Sequence, residues 1–189
     1  MKKCDALIIG GSAGSLDVLF QVLPFIKRDI SFAIIIVLHR KAGNDAILPG
    51  LLNFKTKLKV REVEEKEKIL AATIYIAPSD YHLLIEHDHT FSLDHSEKVN
   101  FSRPSIDVTF QSAAEVYKEH LTGLLLSGSN IDGIEGLKLI KYFGGEVVIQ
   151  NPETAAMPYM PAQAELNVKV DKILLVSEMA DYINGLSKF

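Results

Sequence analysis

Three short runs constrain this chain more than anything else in it. Ala6 to Gly10 ("ALIIG"), Phe32 to His39 ("FAIIIVLH") and Leu121 to Gly128 ("LTGLLLSG") are apolar at nearly every position and stop at glycine, histidine or serine-glycine. A strand with one wet face alternates polar and apolar residues. A strand that is apolar throughout is covered on both faces, as in parallel sheets sandwiched between helices. The intervening segments fit that pattern. "SLDVLFQVLPFI" places Leu16, Leu19, Phe20 and Leu23 on one helical face. "SIDVTFQSAAEVYKEH", "GIEGLKLIKYFG" and the closing "VSEMADYINGLSKF" also read as helices, and "AILPGLLNF" as one interrupted by Pro49. Shorter strands are expected in "LKVREVEE", "TIYIAPSD" and "GEVVIQN", with a hairpin in "HLLIEHDHTFSLDH" turning near Asp88-His89-Thr90. The proline-dense "NPETAAMPYMPAQA" reads as a loop. The expectation is an α/β fold with a doubly wound, mainly parallel sheet, helices on both faces and a β-hairpin, over one domain of residues 1–189.

Composition narrows the function classes. The net charge of −4, with no basic stripe, argues against nucleic acid and gives no support for an anionic membrane surface. Cys4 is the one cysteine, so neither an internal disulfide nor a zinc-type cysteine spacing is available. Lys2-Lys3 is followed by a short apolar strand and glycines rather than by a signal-peptide core. No apolar run reaches the roughly 18 residues a membrane helix needs. A cytoplasmic setting without membrane insertion is the expectation.

In an open α/β sheet, ligands bind beyond the carboxyl ends of the strands. The first strand ends at Gly10-Gly11-Ser12, the second at Leu38-His39-Arg40 and the third at Ser127-Gly128, shortly before Asp132. Serine, histidine and aspartate are the three groups of acyl transfer: nucleophile, general base, and the carboxylate that orients the imidazole and stabilises its charged form. Gly10-Gly11-Ser12-Ala13-Gly14 matches G-x-S-x-G, the strand-to-helix elbow that lifts a serine into the open. The Ala13 N–H, at the helix start, is placed to donate to an oxyanion. Such hydrolysis needs no metal and no organic cofactor. The elbow has two other readings, a phosphate-binding turn at a helix N-terminus and a plain structural turn. A dinucleotide fingerprint and a P-loop do not fit, for want of G-x-G-x-x-G and of Gly-Lys-Ser/Thr. The chain order Ser, His, Asp also differs from the Ser, Asp/Glu, His order of α/β-hydrolases.

The sequence resembles the catalytic domain of the CheB family of chemotaxis protein-glutamate methylesterases over nearly its whole length. The motifs are "IIGGSAGS", "IIIVLHR", "IYIAPSDYHL", "RPSIDVTFQSAA" and "LLLSGSNIDGIEGL", in the family's order. The resemblance implies a three-layer α/β fold. It implies hydrolysis of methyl esters on receptor glutamates, with deamidation of certain receptor glutamines as a second activity. Ser12 then matches the nucleophile, His39 the base and Asp132 its partner, with oxyanion donors at Ala13 and Ser129. The implied partner is the methylated cytoplasmic domain of a chemoreceptor. The usual receiver domain would precede Met1, so control by a response regulator in trans, or a constitutively open enzyme, is the expectation. Another serine hydrolase activity and a non-catalytic signalling module stand as alternatives. This chain departs from the family pattern at Ala13, Ser15, Arg40-Lys41, Ser129 and Asn130. Arg40 and Lys41 are expected to add positive charge for an acidic receptor helix.

Other residues have quieter readings. Ser105 is expected to cap the helix that follows, and Arg103 to be structural or to line the cleft. The hairpin's Glu86, His87, Asp88, His89, Asp94 and His95 alternate faces and show no strong metal spacing. His82 and His120 are assigned to turn or helix-surface positions. Met157, Pro158 and Tyr159 form either a cleft wall or a plain connection.

Overall fold

The computed structural model describes residues 3–40 and 47–187. Seven parallel strands form the central sheet: β1 (Ala6–Gly11), β2 (Ala33–Leu38), β3 (Lys59–Glu62), β4 (Thr73–Ile76), and, after the hairpin strands β5 (His82–Ile85) and β6 (Phe91–Asp94), β7 (Leu121–Leu125), β8 (Glu146–Gln150) and β9 (Lys172–Leu174). Their spatial order is β3-β4-β2-β1-β7-β8-β9, and β5 and β6 pair antiparallel as a separate ribbon. β1 sits between β2 and β7, so the winding reverses beside it. That reversal opens a crevice at the carboxyl ends of these strands.

All six residues of β1 and of β2 are buried, as continuous apolar strands require. Alternate residues feed two cores. Ile8 and Ile35 point to one face, packed by the helices α3 (Ile106–Tyr117), α4 (Ile134–Tyr142) and α5 (Tyr159–Asn167) and by the hairpin. Leu7, Ile9 and Ile34 point to the other, packed by α1 (Ser15–Val22), α2 (Ile47–Asn53) and α6 (Val176–Gly185). The result is three layers. The hairpin is tied to α3 by Thr109 Oγ1 donating to the Leu83 carbonyl (2.8 Å) and by the Ile85 N–H donating to Ser112 Oγ (3.1 Å). It turns at His89, whose φ is 59°.

Several expectations need correction. The buried face of α1 is Ser15, Val18, Leu19 and Val22, with Leu16 and Phe20 only half-buried. Pro49 does not interrupt α2; it is the helix's third residue, where a missing N–H costs no intrahelical bond. The proline-dense "loop" contains α5, with Pro161 likewise in the first turn. β9 was not anticipated from the sequence.

Candidate active site

The elbow after β1 is pinned on both sides. The His39 N–H donates to the Gly11 carbonyl (3.2 Å), the Leu126 N–H to Gly10 (2.9 Å), and the Ser12 N–H to the Ser127 carbonyl (2.9 Å). Gly14 turns the chain into α1 at φ 84°, a conformation glycine adopts without strain, and a Cβ there would meet Ala156 and Ser127 at 2.8 Å. Ser127 ties the neighbourhood together. Its hydroxyl donates to the Ala13 carbonyl (2.7 Å) and accepts from the Met157 N–H (2.9 Å), while its carbonyl also accepts from Ser15 Oγ (2.7 Å). Ser12 thus stands half-buried at the strand tip with a fixed backbone on either flank.

His39, at the end of the adjacent strand, presents Nε2 to Asp132 Oδ2 at 2.7 Å. Asp132 is fully buried, and five donors surround its carboxylate. Oδ2 accepts from His39 and from the Ile106 N–H (2.6 Å). Oδ1 accepts from Ser105 Oγ (2.8 Å), Asn100 Nδ2 (2.9 Å) and the Asp107 N–H (3.1 Å). Two of the donors are the first free N–H groups of α3, where the helix's partial positive charge favours an anion. Burial pushes the Asp132 carboxyl up, but the hydrogen bonds from His39, Asn100, Ile106 and Ser105 outweigh it and hold the group below the usual carboxylate range. Asp107 lies on the far side of the Asn100 amide, which bridges the two acids (2.8 Å to Asp107 Oδ2). It has fewer donors, with the Gly136 N–H at 2.7 Å on its other oxygen. Burial, with the Asp132 charge adding to it, pushes Asp107 up to about 6. Of this pair Asp132 keeps the negative charge.

Asn100 reaches the acids from a two-residue turn. Val99 and Ser102 exchange backbone hydrogen bonds (3.2 and 2.9 Å) around Asn100 and Phe101, at φ 50° and 62°. The turn leaves Phe101 98% exposed at the mouth of a cleft of about 420 Å³ that also touches His39, Arg40, Lys98, Ser102 and Arg103. Arg103 both lines that cleft and staples its wall, donating to Asp80 Oδ1 (2.7 Å) and to the Ser96 carbonyl (2.6 Å). On the Ser12 side, the Gly128 N–H donates to the Met157 carbonyl (3.0 Å) and the Met160 N–H to Gly128 (2.9 Å). Met157 and Tyr159 are exposed beside this turn.

The structure therefore brings Ser12, His39 and Asp132 to one edge of the sheet, with Ala13 and Ser129 exposed next to the turns that flank them. Arg40 lines the cleft beside His39, where its Nη2 donates to Glu62 Oε1 (2.5 Å) and the Ala77 carbonyl (2.8 Å). Lys41 lies outside the described residues. His82 is a correction. It is buried, donates Nε2–H to the Glu97 carbonyl (2.9 Å) and accepts the Ser105 N–H at Nδ1 (3.2 Å), holding the cap residue that touches Asp132. Ser105 caps α3 as expected, through the Val108 N–H. Cys4 is buried near the opposite end of the sheet, and desolvation pushes its thiol up to about 12. Among the described residues no group of three or more His, Cys, Asp or Glu is placed to hold a metal ion, the hairpin's included. No described helix is long and apolar enough to cross a membrane.

A serine on a strand-to-helix elbow, beside a histidine held by a buried carboxylate, is the geometry with which serine hydrolases perform acyl transfer. Comparison with known proteins specifies the class. The CheB methylesterase family matches residues 7–183, and the chain belongs to that family. A Leptospira interrogans relative, provisionally named a protein-glutamate methylesterase/protein-glutamine glutaminase, is 44% identical over 177 residues, covering 94% of this chain and 92% of its own. A Thermotoga maritima protein-glutamate methylesterase/protein-glutamine glutaminase is 33% identical over 158 residues, covering 82% of this chain but 46% of its own. The crystal structure of the Thermotoga maritima CheB methylesterase catalytic domain superposes with a TM-score of 0.93 at 29% identity, covering 98% of this chain and all of that one.

Proposed function

We propose that this chain is a protein-glutamate methylesterase, one catalytic unit over residues 1–189, hydrolysing γ-methyl esters on the cytoplasmic helices of a chemoreceptor. The observation that carries the site assignment is the 2.7 Å contact of His39 with a buried, five-donor Asp132, beside the Ser12 elbow. Ser12 is the nucleophile. His39 Nδ1 takes the Ser12 proton as Oγ attacks the ester carbonyl, then returns it to the departing methoxide, so methanol leaves and an acyl-enzyme remains. Water activated by the same imidazole releases the carboxylate. Asp132 holds the ring and stabilises its charged form.

The Ser12 and Gly128 N–H groups are already bonded to carbonyls. Ala13 and Ser129, the next residues along, are the proposed oxyanion donors. Deamidation of glutamine is the same acyl transfer with ammonia as the leaving group. Control by a response regulator acting in trans is the proposed regulation. A binding module has no chemical need for this constellation, which disfavours the non-catalytic alternative.

The test is methanol release from a methylated receptor fragment, native chain against Ser12→Ala. Loss of about 10⁴-fold or more is expected, since triad members act as a unit. Undiminished release by the variant would remove Ser12 from the mechanism. Labelling of Ser12 by a phosphonate without any methanol release would keep the hydrolase and change the substrate.

A further inference from the structure

The lone pair on which Ser12 would depend already has a partner. His39 turns Nε2 to Asp132, so Nδ1 is the ring nitrogen left to receive a proton, and Nδ1 lies 3.3 Å from Asn130 Nδ2. Groups that can only donate fix the direction of this contact. The Asp132 N–H points at Asn130 Oδ1, 3.2 Å away. A backbone N–H has no lone pair, so the carboxamide oxygen must be the atom that faces it. The NH₂ end therefore faces His39, with Ser102 Oγ at 3.5 Å as a weaker second acceptor. An amide NH₂ cannot accept, so Nδ1 is unprotonated and Nε2 carries the hydrogen. The Asp132 contact demands the same tautomer. The oxygen end of Asn130 closes an Asx turn onto the backbone two residues on, which leaves the NH₂ end free to face the imidazole. Its side chain is half-buried and tied at both ends.

We propose that Asn130 caps the general base: in the free enzyme its amide occupies the His39 Nδ1 lone pair and must leave before Ser12 attacks. The proposal rests on Ser12 and His39 being nucleophile and base. As the Oγ–carbon bond forms, the carbonyl π pair moves onto oxygen and the Oγ proton moves to Nδ1. Nδ1 is then itself a donor, and two N–H groups cannot point at each other across one hydrogen bond. The amide needs another acceptor at that moment. A carbonyl or carboxylate oxygen of the arriving substrate is the chemical class that supplies one. Asn130 thus acts on His39 in the free enzyme, keeping the serine subdued, and on the acyl substrate once that substrate enters.

The experiment is the second-order rate of Ser12 labelling by a small fluorophosphonate, comparing the native chain with Asn130→Ala and Asn130→Gly, alongside kcat and KM on the methylated receptor fragment. Both variants should label faster by about fivefold, the worth of one net hydrogen bond, while KM for the methyl ester rises. Unchanged or slower labelling in folded variants overturns the cap, and an unchanged KM overturns the transfer to substrate. Nitrogen-15 NMR of the His39 ring needs no turnover. Nδ1 should read as a hydrogen-bonded acceptor in the native chain and shift in Asn130→Ala; an unshifted signal overturns the contact itself. Failure of the hydrolase reading looks different, because then neither native nor variant protein labels at Ser12 while the NMR result still decides the cap.

Discussion

At the scale of single residues, the site is built around one buried anion and the question of which neighbour shares its charge. Asp132 and Asp107 are bridged by the Asn100 amide, and only Asp132 has donors enough to stay ionised easily. Asp107, raised from 3.8 to about 6, therefore binds its proton more tightly in the folded chain than in the unfolded one. Its contribution to stability is complete below about pH 4 and is lost as pH rises through about 6. At 1.36 kcal/mol per unit, the loss is up to about 3 kcal/mol. Asp107→Asn should remove this component. Urea unfolding at pH 5 and pH 7 should show the native chain losing more stability than the variant as pH rises, and a pH-independent difference would contradict the assignment. Asp132 has the opposite sign: its lowered value adds stability above the usual carboxylate range, lost as pH falls through it. Ser12, His39 and Asp132 were legible because chemistry-bearing residue types stood at the ends of apolar runs. Asn100 and His82 were not, since nothing local marks them, and Asn130 stood out only as a departure from the family pattern. Ser105 was visible as a helix cap, but not as the hydroxyl that also donates to Asp132.

At the scale of elements, the strongest signals were the fully buried strands and the weakest were segments whose role depends on neighbours. β9 is three residues long with two exposed positions, and it exists because β8 offers it a partner. α5 was hidden because prolines usually punctuate loops, yet Pro161 in its first turn removes only an N–H without an intrahelical acceptor. That helix matters to the site through its second residue. Met160 is fully buried and packs on the turn after β7: a Cβ on Gly128 would lie 2.6 Å from Met160 Cε and 3.1 Å from Ser12 Cβ. Gly128→Ala should then cost about 1–3 kcal/mol of stability through overpacking. Because Ser12 is one of the atoms displaced, activity should fall by about tenfold or more, since small misplacements of reacting groups are costly. Thermal melts and fluorophosphonate labelling of the same preparation check both halves. A variant that is destabilised but labels at the native rate would show that Met160 alone absorbs the added carbon.

At the scale of the whole molecule, one sheet with a core on each face carries the site at the point where its winding reverses. The fold class was legible because strands apolar at every position permit few architectures. The strand order was not, because β4 inserts between β2 and β3 through pairings that no local pattern records. With both cores sharing the same strands, fluorescence and labelling of Ser12 should be lost at one urea midpoint. Labelling that disappears at lower urea would show that the loops of the crevice melt ahead of the sheet. The 2.7 Å contact between His39 and Asp132 joins residues 93 positions apart, through strands that lie two places from each other in the sheet. During synthesis the Ser12 elbow and the His39 strand emerge long before the segment bearing Asp132. A nascent or partly degraded chain would hold a serine with no working base, so the topology itself delays reactivity until the last third of the chain has found its place.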